Sequence, residues 1–207
     1  MVQNKERGFS ILELAMVVFI IALLAGSLLI PLSTRINQQY IQNTQKSLEE
    51  AKEALLGYAV INGRFPCPAL ADGKANSTLC NSEGFIPWVE LGVGRYDGWG
   101  KTLRYRVDKT FMIDEAEIKD KQMKGTSGFT IKTIDNSSLA SSDVIVAILF
   151  STGKNGKADN TNLIGGSNTN YTQDTQNSAQ NFDDMLIWIS NSMLASRWVM
   201  SGRTITD

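Results

Sequence analysis

Residues 7–14 read Arg7-Gly8-Phe9-Ser10-Ile11-Leu12-Glu13-Leu14, and they open an apolar run in which Glu13 is the only charge from Phe9 to Leu32. Most of that run is Leu, Ile, Val, Ala, Met and Phe. At about 1.5 Å of rise per residue, a helix over it is long enough for a bilayer core of ~30 Å. A carboxylate in such a segment costs at least ~2.5 kcal/mol on insertion scales, so it needs a partner and a role.

The rest of the composition narrows the chemistry. The chain has 207 residues, a net charge of −1, 43% hydrophobic residues and no histidine. That length suits one ordinary globular domain beyond the apolar segment. A charge near zero gives no footing for direct nucleic-acid binding. Without histidine, the commonest general base is missing, and neither a Ser-His-Asp nor a Cys-His device is possible within the chain. The two cysteines, Cys67 and Cys80, sit near Pro66 and Pro68 with no CxxC spacing. If the globular part lies outside the cytosol they read as one structural disulfide, and otherwise as two unpaired buried thiols.

Residues 1–8 are polar and carry Lys5 and Arg7 against Glu6. Cations ahead of a span keep that end cytoplasmic, so everything after Leu32 is expected on the far side. A cleaved secretory signal fits poorly, because the run exceeds the usual ~7–15 apolar residues and no A-x-A-like site follows. A lipoprotein signal fails because Ser27, not cysteine, follows Gly26. A plain anchor leaves Glu13 without a purpose.

Gly8-Phe9-Ser10-Ile11-Leu12-Glu13 resembles the processing motif of type IV prepilins and type II secretion pseudopilins. The resemblance implies a leader (1–8) removed between Gly8 and Phe9 by a membrane prepilin peptidase, and N-methylation of Phe9. It makes Glu13 the fifth mature residue, where the family has glutamate. When helices pack with a stagger, the Glu13 carboxylate of one subunit meets the Phe9 ammonium of another, which neutralises both charges and fixes register. The resemblance further implies an inner-membrane precursor with its head in the periplasm, other pilin subunits, and an assembly platform with a cytoplasmic ATPase. Pro31 falls one residue later than is usual in the family, and with Gly26 it marks a place for a bend or local unwinding.

The expected fold is α+β of the type IV pilin-like kind: a transmembrane and assembly helix (9–32), an amphipathic stem (33–62) and a head (63–207) with a small antiparallel sheet. In the stem, Ile36, Tyr40, Thr44, Leu48, Ala51, Leu55 and Ala59 recur at steps of three or four, the spacing of one buried helix face. Asn62-Gly63 ends it. Gly63–Gly100 reads as a long loop without regular sheet, held by the 67–80 disulfide. Strands are expected at Thr102–Val107, Gly128–Ile134, Val144–Phe150 (apolar throughout, hence central) and Met185–Ser190, with a closing helix at Ser192–Gly202. Asp97-Gly98-Trp99-Gly100 reads as the turn before the first strand and is similar to the Asp-x-Trp-Gly of pseudopilins.

The segment 151–184, rich in Gly, Asn, Asp and Ser, is the one place where chemistry is conceivable. Gly153-Lys154-Asn155-Gly156-Lys157 lacks the G-x-x-x-x-G-K-[ST] spacing and is no P-loop. No EF-hand register fits. Oxygen ligands are nonetheless dense, with Asp159, Asn160, Asp174, Asp183 and Asp184 in one connection. Major pseudopilins carry a calcium site in a similar late loop, and the resemblance implies Asp159, Asp183 and Asp184 as its acids. The preferred reading of the residues themselves is a solvated loop that binds nothing. Acids Asp114, Glu115, Glu117 and Asp120 among Lys119, Lys121 and Lys124 read as a soluble face, and Trp88, Trp99, Trp188 and Trp198 as packing. Nothing argues for catalysis. The expected function is therefore a structural subunit, a minor pilin or pseudopilin, with a singly anchored periplasmic binding domain as the alternative.

Overall fold

The computed structural model describes residues 8–112, 128–141, 143–165, 168–174 and 182–202, apart from the side chains of 26–32. The leader residues 1–7 and the charged stretch from Asp114 to Lys124 lie outside the described residues. The chain divides into two units between Tyr40 and Ile41.

The first unit carries the opening turns of helix α1 (Ile11–Asn62). Ser10 starts it: its hydroxyl accepts from the Leu12 N–H at 3.3 Å and its carbonyl from the Leu14 N–H at 3.1 Å. Glu13 lies in the first turn, where the helix dipole favours an acid. The apolar side chains that follow point outward on every side, from Ile11 (88% exposed) to Leu24 (60%). The helix runs through both Gly26 and Pro31 without local unwinding. Proline removes one hydrogen bond, and the flanking turns carry the helix past it. Among the described residues, no helix is long and apolar enough to cross a membrane. The described side chains of the apolar run stop at Ala25, short of the ~20 residues a span needs.

In the second unit α1 becomes amphipathic. Thr44, Leu48, Ala51, Leu55, Leu56 and Ala59 are buried, so the stripe expected from the sequence is packed from Thr44 onward. Ile36 and Tyr40, assigned to the same stripe, belong to the first unit and are 43% and 40% exposed. The helix stops where Gly63 takes φ +73° and its N–H donates to the Ala59 carbonyl at 2.9 Å.

The strands are β1 (Gly84–Phe85), β2 (Arg104–Val107), β3 (Thr130–Lys132), β4 (Ser138–Ala140), β5 (Ile145–Ser151), β6 (Asn170–Thr172) and β7 (Met185–Ser190). One sheet has the order β1-β2-β5-β7 and is antiparallel throughout. A second sheet has the order β4-β3-β6, with β3 and β6 parallel. The architecture is α+β, with α1 packed on the four-stranded sheet. Alternation along β5 explains the layering: Ala147 and Leu149 face Leu48, Leu55 and Ile189, whereas Ile148 and Phe150 face Phe129, Ile131 and Tyr171. Every residue of β5 is buried, as its unbroken apolar sequence predicts for a central strand. A short helix α2 (Trp88–Leu91) precedes the 97–100 turn. Helix α3 (Asn191–Met200) closes the core with Leu194 and Trp198, and the Ser190 hydroxyl accepts from the Met193 N–H at 3.2 Å to cap it.

Three expectations are corrected. The Gly63–Gly100 stretch is not free of sheet, because β1 pairs with β2 inside it. Gly128–Ile134 does not join the main sheet; its strand pairs with β4 and β6. The late loop 151–184 is interrupted by β6. The strands β1, β4 and β6, of two or three residues each, are held by tertiary contact and are too short for period-two alternation to register. Cys67 and Cys80 are disulfide-bonded, with Cα atoms 4.6 Å apart.

A buried ion pair fastens the two long loops. Glu83, 3% exposed, accepts from the Arg104 guanidinium, with Nη2 at 2.6 Å from Oε2, and from the Gly165 N–H. Removing one partner strands the other charge. Glu83→Gln is expected to cost about 3–5 kcal/mol in urea unfolding of the folded chain; a loss below about 1 kcal/mol would mean that the pair contributes little.

Candidate cation site

Strand β5 delivers the chain into a tight turn, Ser151–Gly156, whose glycines Gly153 (φ +59°) and Gly156 (φ +69°) take left-handed conformations. A Cβ on Gly153 would lie 2.2 Å from the Asp183 carbonyl oxygen and 2.5 Å from Asp183 Oδ1, so only glycine permits this approach. The turn thereby lies directly against the residues that enter β7.

Around it three carboxylates converge. One oxygen from each of Asp159, Asp183 and Asp184 lies within 4.8 Å of the others. Backbone donors fix the arrangement. Asp183 Oδ2 accepts from the Asn155 N–H at 2.9 Å, Asp159 Oδ2 from the Asp183 N–H at 2.8 Å, and Asp184 Oδ2 from the Asp159 N–H at 2.8 Å. Asn162, wholly buried, donates to Asp184 Oδ2 at 3.0 Å and to the Thr172 carbonyl at 2.8 Å. Its own carbonyl accepts from the Thr172 N–H at 2.8 Å, so its amide stands in for a paired strand. The remaining oxygens, Asp183 Oδ1 and Asp184 Oδ1, are buried and accept no hydrogen bond. Asp184 itself is only 2% exposed. Among the described residues no lysine or arginine forms an ion pair with any of the three.

The electrostatics follow. Burial pushes the Asp184 carboxyl up to about 7, against the lowering effect of the Asp159 N–H and Asn162 amide, and the neighbouring Asp159 and Asp183 charges push the same way. Burial likewise raises Asp183, followed by its proximity to Asp159. Three acids facing one another without a cation repel, and two orphaned oxygens have lost their water. An all-oxygen donor set with no Cys or His suits a hard cation, and the flexible coordination of calcium fits it better than the strict octahedron of magnesium.

The structure thus brings together the three acids that the resemblance assigns, without Asp174. Asp174 turns to the end of β3, where its Oδ2 accepts from the Ile134 N–H at 3.0 Å. Asn160 sits in a left-handed turn (φ +51°). Asn155 and Asn162 organise the acids; Asn155 lies in the Ser151–Gly156 stretch, which is similar to the Ser-x-Gly-x-(Asp/Asn)-Gly turn of pseudopilins, whereas Asn162 carries only the general aptitude of asparagine for bonding to backbone in loops. At the other end of the chain, Gly8, Phe9 and Glu13 are all exposed, Phe9 by 79%.

Linkage gives this site a testable sign. Asp184 in the folded chain titrates near 7, above the ~3.9 of an unfolded aspartate. Between those values the folded state holds a proton that the unfolded state releases, so stability falls as pH rises from ~4 to ~7. In a calcium chelator, the wild type is expected to lose stability between pH 5 and pH 8 relative to Asp184→Asn, by about 2.5 kcal/mol. Millimolar calcium is expected to raise the wild-type melting temperature at pH 8, less so at pH 5, and not at all in Asp184→Asn. Parallel pH profiles for the two proteins would count against the site.

No family model, curated protein or solved structure matches the chain.

Proposed function

We propose that the protein is a type IV pilin-like structural subunit, a minor pilin or pseudopilin, rather than an enzyme. The observation that carries this reading is the first half of α1: an apolar helix whose side chains from Ile11 to Leu24 are exposed on every face, with Glu13 as its sole charge. Exposed apolar side chains of that kind favour packing against copies of the same helix. The Gly8–Phe9 bond lies just ahead of the helix in exposed chain, where a membrane peptidase can reach it. Cleavage there creates an ammonium at Phe9, and methylation leaves it charged.

In this reading the run Phe9–Leu32 holds the precursor in the inner membrane with the head in the periplasm. Assembly machinery then draws it into a filament, where the Phe9 ammonium of one subunit meets Glu13 of another. The uncleaved chain has no amine at that position and cannot make the pair, so processing licenses assembly. The head displays the surface, and calcium held by Asp159, Asp183 and Asp184 stiffens the late loop. The cation supplies charge neutralisation there, not chemistry.

Intact-mass measurement of the membrane-extracted protein, with and without prepilin peptidase, tests this. A chain beginning at N-methylated Phe9 is expected only when the peptidase is present. Glu13→Leu is then expected to be cleaved normally yet excluded from filaments, reducing incorporation at least tenfold. A chain retaining residues 1–8 in peptidase-competent cells would leave a singly anchored periplasmic domain instead.

A further inference from the structure

Deepening the cation reading, and resting on it, we propose that Asp97 and Ser151 are positioning residues for the cation site, holding its loop in register from the turn before β2. Asp97 is 7% exposed and Ser151 wholly buried, and Asp97 is not among the clustered carboxylates. Asp97 Oδ1 accepts from the Trp99 N–H at 2.9 Å and the Lys101 N–H at 2.8 Å. Its Oδ2 accepts from the Ser151 hydroxyl. That hydroxyl in turn accepts from the Gly153 N–H at 3.0 Å, and Gly153 is the residue packed against Asp183 Oδ1.

A second contact from the same turn reaches the other end of the loop. The Lys101 side chain lies over Gly156, where an added Cβ would come within 2.8 Å of its Cε. The 97–101 turn therefore grips Ser151–Gly156 at both ends. The turn itself is seated on α1, since the Gly98 N–H donates to the buried Thr44 hydroxyl at 2.9 Å. A chain of short contacts thus runs from Thr44 through Gly98, Asp97, Ser151 and Gly153 to Asp183.

This arrangement gives Asp97 a task that a simple turn acid lacks. Its charge is compensated by donors alone, two from its own turn and one from the cation loop. Losing the Ser151 hydroxyl leaves Oδ2 buried without a donor and frees the Gly153 N–H, so the loop loses its register against Asp183. The cation then meets ligands that must be gathered at its own expense.

The test is calcium titration of the purified full-length chain by calorimetry, with the luminescence lifetime of terbium as a second probe. Wild type is first required to bind. Ser151→Ala is expected to keep its circular dichroism spectrum, to raise the calcium Kd tenfold or more, and to shorten the terbium lifetime as extra water enters. Thr44→Val is expected to raise the Kd by a smaller factor, and Thr44→Ser, which keeps the hydroxyl, to restore it. Should Ser151→Ala not fold, the Thr44 pair decides by itself. A Ser151→Ala protein that melts earlier yet binds calcium and terbium as wild type does would make the pair merely structural and overturn the inference. A wild type that binds neither ion would overturn the cation reading and this inference together.

Discussion

Strand β5 is buried on both faces along its whole length, and the head is arranged around that fact. One face needs a cover, which α1 supplies through Leu48, Ala51 and Leu55; the other takes the three-stranded sheet with Phe129, Ile131 and Tyr171. The two sheets have four and three strands, most of them short. The apolar layers therefore depend on one another through β5, and the loops have only to bring their backbones to its edges. Both β2 and β7 do so by antiparallel pairing, with a single irregularity between Ile145 and Ala147 that shifts the alternation by one residue.

The head also encloses acids, with Glu83, Asp97 and Asp184 buried and Asp183 half-buried, and it treats them in two ways. Glu83 is given a guanidinium, and Asp97 is given backbone N–H groups and a hydroxyl. Asp183 and Asp184 are satisfied on one oxygen and left with the other orphaned. The contrast matters because all four lie in the same small domain, where donors are plentiful. In a place that is otherwise carefully bonded, those two oxygens are the exceptions that call for an explanation. The late loop is thus a bonded scaffold around three acids rather than a slack connection.

Much of the fold was legible where the sequence repeats a physical pattern for long enough. The stem's three-and-four spacing located its buried face from Thr44 to Ala59, the apolar run of Val144–Phe150 marked the central strand, and Met185–Ser190 matched β7 to the residue. What stayed hidden was short. Gly84–Phe85, Ser138–Ala140 and Asn170–Thr172 are strands only because neighbours offer edges, and no local preference announces them. The cation site was half visible. Its acids were named from a resemblance, but their convergence depends on Asn155 and Asn162 bonding to backbone across the loop, which composition does not encode. Asp97 read as a turn former, and its second contact, to Ser151, joins residues 54 apart.

The C-terminal helix carries a consequence for the order of events during synthesis. Trp198 and Leu194 belong to the same apolar layer as Leu48 and Leu55, and β7 just before them completes the sheet beside β5. Glu83 likewise waits for Gly165, 82 positions later. Within this sequence the core is therefore closed by residues far downstream of the stem they cover. Until β7 and α3 have been made, the apolar face of the stem lacks that cover, and exposed surface of this kind is what the handling of nascent protein shields.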